Sequence, residues 1–344
     1  MFELPTNKLN IRRLVQAREG ITSENIETSV LNSEQPVVLK GFSNNWTMVK
    51  LARQNGMKVA AHLQSKHIGK EVNVSKIETG GQERIFYNSD FTGFNFTTLK
   101  MPFSKVLSTL FEQQALAQPQ TVYMPSTSIP LYFPDLVKET LVNGMQDSIF
   151  NLWLGNRTRV AAHYDFLQNL ACVVAGRRRF ILFPPDQIGN LYPGPLHLSP
   201  GGREISLVNF ADPDFQTHPK FKQALQHAML ADLSPGDALV IPSMWWHHVE
   251  AADPFNVLLN HWWRNSPAYL GGPANALMLS LLSIRDLPPA QKQAWQALFE
   301  HYVFHNDAAD FAHIPEAAQG ALASPLNEQT ARQLRANIHN KLRR

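Results

Sequence analysis

The chain has 344 residues, 44% hydrophobic and 17% charged, with a formal net charge of +3. That length supports one large domain or two smaller ones, and that balance excludes a disordered chain. The charge is too small to argue for nucleic acid, no apolar run reaches the roughly 18 residues of a membrane span, and a lone cysteine excludes an intrachain disulfide or a cysteine-built zinc site.

Residues 1–147 read as a mixed α/β part. PVVLKGF (36–42) predicts a strand, and NWTMVKLARQNG (45–56) predicts a helix that starts after Asn45 and stops at Gly56. EVNVSKIE (71–78) and RIFYNSD (84–90) predict strands flanking the TGGQ turn, a hairpin pattern. TLKMPFSKVLSTLFEQQ (98–114) has helical spacing of apolar residues. Residues 148–265 change to short strands with Pro- and Gly-rich turns: IFNLWLGN, LACVVAG, RRFILFPP, EISLVNF, DALVIP and NVLLNHWW, interrupted by one helix, KFKQALQHAML. This texture predicts an antiparallel sandwich or barrel. Residues 266–344 turn helical, in NALMLSLLSIRDL, PPAQKQAWQALFEHYVFH and NEQTARQLRANIHNKLRR. The first two carry enough apolar residues to need a partner surface, either the domain's own core or a second copy of the chain. Cys172 lies in an apolar run and suits a reducing cytoplasm; the start, MFELPTNKLNIRR, lacks the apolar centre of a signal peptide.

Among 13 histidines, a His-x-acid pair arises by chance, and three occur: His163-Tyr164-Asp165, His248-Val249-Glu250 and His305-Asn306-Asp307. Position separates them. His305 falls at a helix end, where Asn and Asp suit a turn. His163 falls at a strand end, where residues two apart share a face and two ligands can meet one ion. A third ligand belongs on a facing strand. SPGDALVIPSMWWHHVEA (234–251) resembles the second cupin motif, with Gly236, Pro242 and His247 at its spacing and His248 one residue late. Strand alternation lets only one of the two histidines face inward. His247 is chosen by the motif.

Two imidazoles and one carboxylate make the facial triad of non-haem Fe(II) oxygenases, and zinc hydrolases use the same set. No separate general base stands out in the sequence. An oxygenase of this kind takes 2-oxoglutarate, whose distal carboxylate needs a buried cation. GRRRF offers Arg177, Arg178 and Arg179; alternation sets Arg178 opposite the other two, and pattern alone leaves the inward face open.

The stretches AAHYDFLQNLACVVAGRRRFILFPPDQIGNLYPGPLH, PGDALVIPSMWWHHVEA and NVLLNHWW resemble the cupin-like branch of the JmjC oxygenases. In particular they are similar to the asparaginyl hydroxylase that inhibits hypoxia-inducible factor, and to bacterial cupin-like proteins. PVVLKGFSNNW and FYNSDFTGFNF extend the likeness, which covers about residues 35–265. The resemblance implies a mainly β fold with flanking helices: a double-stranded β-helix, or jelly roll, over 148–265, an N-terminal α/β extension over 1–147 and C-terminal helices over 266–344 that suit a homodimer. It implies Fe(II) on His163, Asp165 and His247, with 2-oxoglutarate as cosubstrate. Arg178 falls where the hydroxylase has a lysine for the distal carboxylate, and Tyr123 falls near a tyrosine for the same group. Asn169 and Asn260 match amides near the metal-bound end; a satisfied core amide is the plainer reading of each. Leu167, Trp245 and Trp262 are expected to shield the metal.

Two positions depart from the pattern. Val160 replaces a threonine at the distal carboxylate. Pro125 replaces a glutamine that meets peptide, which puts the same peptide chemistry in doubt. The implied partners are dioxygen and a protein, peptide or small-molecule substrate, with no nucleic acid and no membrane. The implied activity is hydroxylation. The alternative is a metal-binding cupin without oxygenase chemistry: a hydrolase, isomerase or ligand sensor.

Overall fold

The computed structural model describes residues 4–77, 83–305 and 307–343. Contacts divide the chain into Met1–Trp263 and Arg264–Arg344. In the first unit the strands are β1 Gln16–Arg18, β2 Val37–Leu39, β3 Glu71–Ile77, β4 Arg84–Ile85, β5 Thr97–Pro102, β6 Thr121–Ser128, β7 Ile149–Gly155, β8 Thr158–His163, β9 Gln168–Ala175, β10 Arg178–Phe183, β11 Met229–Leu233, β12 Ala238–Ile241, β13 Trp246–Ala251 and β14 Asn256–Trp263.

These strands form two sheets. The larger runs β1-β2-β12-β9-β14-β7-β6-β3-β5, and the smaller runs β11-β10-β13-β8-β4. Of strands β7 to β14, β7, β9, β12 and β14 lie in the larger sheet and β8, β10, β11 and β13 in the smaller. They wind a jelly roll, with flanking helices in both units. The pairings within that roll are antiparallel; β1 with β2 and β4 with β8 are parallel additions at the edges.

Period-two patterning builds the layers. On β10, Phe180 and Leu182 enter the core between the sheets, with Ala171, Val173, Leu239, Val249 and Leu258. Ile181 and Phe183 point the other way, into a second core with Phe210, Phe221 and Trp246. The outer face of the large sheet carries Leu170, Cys172, Val174 and Leu259. Val59 and Leu63 of helix Gly56–Lys66 and Val106 and Leu110 of helix Phe103–Gln114 cover it. Burying each such side chain stabilises by roughly 1.5–3 kcal/mol. With both faces covered, these strands read as near-continuous apolar runs.

Several local expectations change. Gly56 does not end a helix: one runs Thr47–Ala52, and a second begins at Gly56, where the Asn55 side chain accepts from Lys58 N–H. The hairpin across TGGQ does not form. β3 pairs with β5 and β6 in the large sheet, whereas β4 pairs with β8 in the small one; the turn itself lies outside the described residues. The helix read over 98–114 starts only at Phe103, because β5 occupies Thr97–Pro102 and pairs with β3. EISLVNF forms no strand beyond a single bridge at Ser206. The helix in KFKQALQHAML ends at His227, and Met229–Leu233 becomes β11, since pairing with β10 outweighs helical spacing.

The second unit contains helices Pro273–Ser283, Pro289–Phe299 and Glu328–Leu342, with a π-helical turn at Glu300–His305. Phe311 and Ala331 are buried, and Tyr269 Oη donates to the Leu326 carbonyl. No helix among the described residues is long and apolar enough to cross a membrane.

Candidate metal centre

β8 and β13 are neighbours, and their register sets His163 directly opposite His247. The same pairing then matches Val160 with Val249, so three residues of β8 span two of β13. This bulge at Ala161 and Ala162 shifts the alternation, and Val160 and His163 both line the cavity between the sheets. Asp165 follows just beyond the strand. Its loop is pinned by the turn before β13: Met244 N–H donates to the Asp165 carbonyl at 2.8 Å, and Ser243 Oγ donates to the Phe166 carbonyl at 2.9 Å. That turn requires Met244 at φ 68°, a left-handed conformation unusual for a side chain of its size. In the preceding turn, between β11 and β12, Gly236 at φ 102° leaves no room for a Cβ, which would lie 2.2 Å from Asn44 Oδ1.

His163, Asp165 and His247 each offer one ligand atom, all within 4.8 Å of one another. The two rings are oriented by their other nitrogens. His163 Nδ1 lies 2.9 Å from the Ala161 carbonyl, and His247 Nδ1 lies 3.0 Å from the Trp245 carbonyl. A carbonyl only accepts, so each Nδ1 carries the proton and each Nε2 lone pair faces the site. His247 Nε2 stands 3.7 Å from Asp165 Oδ2, a buried oxygen with no hydrogen bond. Burial and the neighbouring His163 push the His247 pKa down to about 4, which keeps that imidazole neutral and ready to coordinate. Two imidazoles and an unpaired carboxylate fit a divalent transition metal.

The cavity, which opens to solvent, is also lined by Tyr123, Asn169, Arg178 and Asn260. Arg178 faces inward. It is buried, its Nε has no partner, and it makes no hydrogen bond or ion pair to protein among the described residues. Burial lowers its pKa to about 10, opposed by Tyr123, and burial raises the Tyr123 phenol. Its neighbours are engaged elsewhere: Arg177 with Asp253 at 2.6 Å, and Arg179 with Asp232 at 2.7 Å on the outer face. Asn260 Nδ2 donates to Asn169 Oδ1 at 3.1 Å. Val160, Phe180, Val249 and Leu258 make the walls apolar.

Of the three residues expected to shield the metal, Trp262 lines the cavity and Leu167 and Trp245 do not. Pro125 lies outside it, at an irregularity between β6 and β7. His248 points away from the cavity but is buried, 3.6 Å from Glu250 Oε1 and against Phe210. Trp153 also lines the cavity and was not singled out from the sequence; its place on β7, in alternation with Leu152 and Leu154, carried the signal. Cys172 is on the other face of its strand, its thiol pKa raised by burial.

A jelly roll with this His-x-Asp and His set between its sheets defines a cupin of the JmjC type. The chain belongs to the cupin-like domain family, whose model matches residues 23–269. Relatives include lysine-specific demethylase JMJ31 of Arabidopsis thaliana, 32% identical over 50% of this chain and 33% of that protein. HSPB1-associated protein 1 of Homo sapiens is 37% identical over 35% of this chain and 24% of its own length. tRNA wybutosine-synthesizing protein 5 of Gallus gallus is 26% identical over 74% of this chain and 78% of its own. The chain therefore spans a third or less of the first two.

Proposed function

We propose that the protein is an Fe(II)- and 2-oxoglutarate-dependent oxygenase that hydroxylates a protein or peptide side chain or a small molecule. The observation that carries this reading is Arg178, a buried cation without a partner among the described residues, in the cavity that also holds the ligand cluster. A buried guanidinium is tolerated only with an anion, and the forked donors of arginine match a carboxylate. A hydrolase or isomerase needs such a cation only for an anionic substrate.

In this reading His163, Asp165 and His247 hold the metal, Arg178 and Tyr123 take the distal carboxylate, and Asn169 and Asn260 lie by the chelating end. Bound Fe(II) with 2-oxoglutarate and dioxygen supplies the oxidation of a C–H bond, with release of succinate and carbon dioxide. Val160 offers no hydrogen bond, so the distal carboxylate rests on the guanidinium and phenol. Phe180, Val249 and Leu258 exclude water between the two polar ends. Hydroxylation of an N-methyl group gives demethylation by the same route, and one relative bears the name of a demethylase.

The proposal includes a cytoplasmic protein that dimerises through its C-terminal helices. Helices Pro273–Ser283 and Pro289–Phe299 contain no buried residue and expose Leu277, Met278, Leu282 and Trp295. Sedimentation equilibrium tests it, with Leu282→Asp expected to give a monomer.

Anaerobic Fe(II) plus 2-oxoglutarate is expected to give a weak visible charge-transfer band, and admission of oxygen to give succinate with protein, peptide or metabolite panels. Asp165→Ala is expected to abolish both. No band and no succinate from the native protein would overturn the reading.

A further inference from the structure

The inner face of the large sheet carries a directed hydrogen-bond chain. β9, β14 and β7 are consecutive in that sheet. Their register sets Trp153 opposite Leu258 and Asn169 opposite Trp262, so both lie diagonal to Asn260 on one face. Trp153 Nε1 donates to Asn260 Oδ1 at 2.7 Å, and Asn260 Nδ2 donates to Asn169 Oδ1 at 3.1 Å. Among the described residues Asn169 Nδ2 makes no hydrogen bond to protein, and Asn169 lines the cavity beside Asp165 and His247.

An amide alone can sit either way round, because its oxygen and nitrogen ends are nearly the same shape. An indole N–H only donates. Trp153 therefore requires the oxygen of Asn260, which turns the Asn260 NH2 toward Asn169 and requires the oxygen there too. The last group, Asn169 Nδ2, must then be presented as a donor. The neighbouring Trp262 Nε1 is a further buried donor without a partner. Asn169 Nδ2 and Trp262 Nε1 are both donors, so together they favour a ligand with acceptor oxygens.

We propose that Trp153 is a positioning residue that sets the polarity of the Asn260–Asn169 pair, so that Asn169 donates to an acceptor oxygen beside the metal ligands. The inference rests on the reading of the cavity as a 2-oxoglutarate site, where that acceptor is an oxygen at the chelating end. Trp153→Phe keeps a ring and deletes the donor. Asn260 Oδ1 is then buried without a hydrogen, and nothing holds the two amides in the native orientation. The reversed pair presents Asn169 Oδ1 to the ligand, oxygen against oxygen.

The test has two arms. The first is ligand-free: the neutron structure of Trp153→Phe, in which deuterium positions show the amides directly. Reversed or mixed Asn260 and Asn169 amides are expected; a single orientation identical to the native protein would overturn the proposal. The second is calorimetric titration of 2-oxoglutarate into Mn(II)-loaded protein without turnover. Trp153→Phe is expected to weaken binding about 10- to 150-fold, the loss of one hydrogen bond to a charged group. In turnover KM for 2-oxoglutarate rises while kcat at saturation stays within about twofold. Equal loss of kcat with unchanged KM would overturn the assignment. If the native protein does not bind 2-oxoglutarate yet the amides reverse, the polarity role stands and the cosubstrate reading falls. Should Trp153→Phe not fold, Asn260→Asp makes the same reversal: an aspartate still accepts from Trp153 but cannot donate to Asn169, which must turn its NH2 inward. Native affinity in that variant would also overturn the proposal.

Discussion

His163 and His247 face each other as direct cross-strand partners, their ring centroids 4.3 Å apart. The metal site is thus built on a rigid pair of strands, with only Asp165 supplied by a loop. The adjacent histidine, His248, is on the opposite face and buried in a different core. His247→Ala is expected to abolish binding of Mn(II) or Fe(II) with little loss of fold. His248→Ala is expected to keep metal affinity within about threefold and to lower stability by about 2–4 kcal/mol, through the cavity left against Phe210. Metal titration and denaturant unfolding of the two variants separate these effects; the reverse pattern would reassign the third ligand.

On the proposed reading Arg178 is kept for a ligand at the expense of the ligand-free protein, since a buried cation without a partner destabilises. Arg178→Met is expected to raise the Tm of the metal-free protein while weakening 2-oxoglutarate binding by at least about 100-fold. Arg178→Lys is expected to retain part of the affinity as a point charge without the fork. Calorimetry with 2-oxoglutarate and a melting curve on the same samples check both statements.

His261 gives a pH prediction free of the metal. It is buried, stacked on Phe150 with centroids 4.0 Å apart, and its Nδ1 lies 2.7 Å from Ser148 Oγ. Burial lowers its pKa from 6.5 to about 3. Between those values the unfolded chain binds a proton that the folded chain does not, so stability falls as pH is lowered from 6.5 and levels off below about 3. His261→Phe is expected to flatten that part of the profile. Urea unfolding at several pH values measures it; an unchanged slope would show that the ring is protonated in the fold.

Met244 holds the turn that aligns Asp165 with β13, at φ 68°. Met244→Val is expected to destabilise by about 1–2 kcal/mol, because a branched side chain resists the left-handed region. Metal affinity falls with it as the Asp165 loop loosens. Met244→Gly is expected to lie within about 1 kcal/mol of the native protein, relief of strain offset by added freedom of the unfolded chain. Thermal melting and metal titration test the pair.

The strands of the jelly roll were legible because apolar runs between turn residues are a local signal, and β7, β9, β10, β12 and β14 follow it. Pairing was not legible. β4 reads as the second arm of a hairpin, yet it joins β8, some 75 residues away, because partner choice depends on which edge is free once the roll has closed. β5 and β11 read as helix for the same reason: their spacing suits either state, and β3 and β10 decide.

The sequence by itself determined which residue types can serve as ligands and anchor, His163, Asp165, His247 and an arginine of GRRRF, since coordination and charge depend on residue type and short spacing. The tertiary structure decided which way they face. Strict alternation would split Val160 from His163, and only the bulge against β13 puts both in the cavity. Which arginine turns inward follows from the phase of β10 between two cores, with Phe180 and Leu182 on one side and Ile181 and Phe183 on the other. The polarity of Asn169 depends on Trp153, from a strand adjacent in space and not in sequence. Facing, register and polarity are properties of packed pairs, and a pair exists only when both partners are in place.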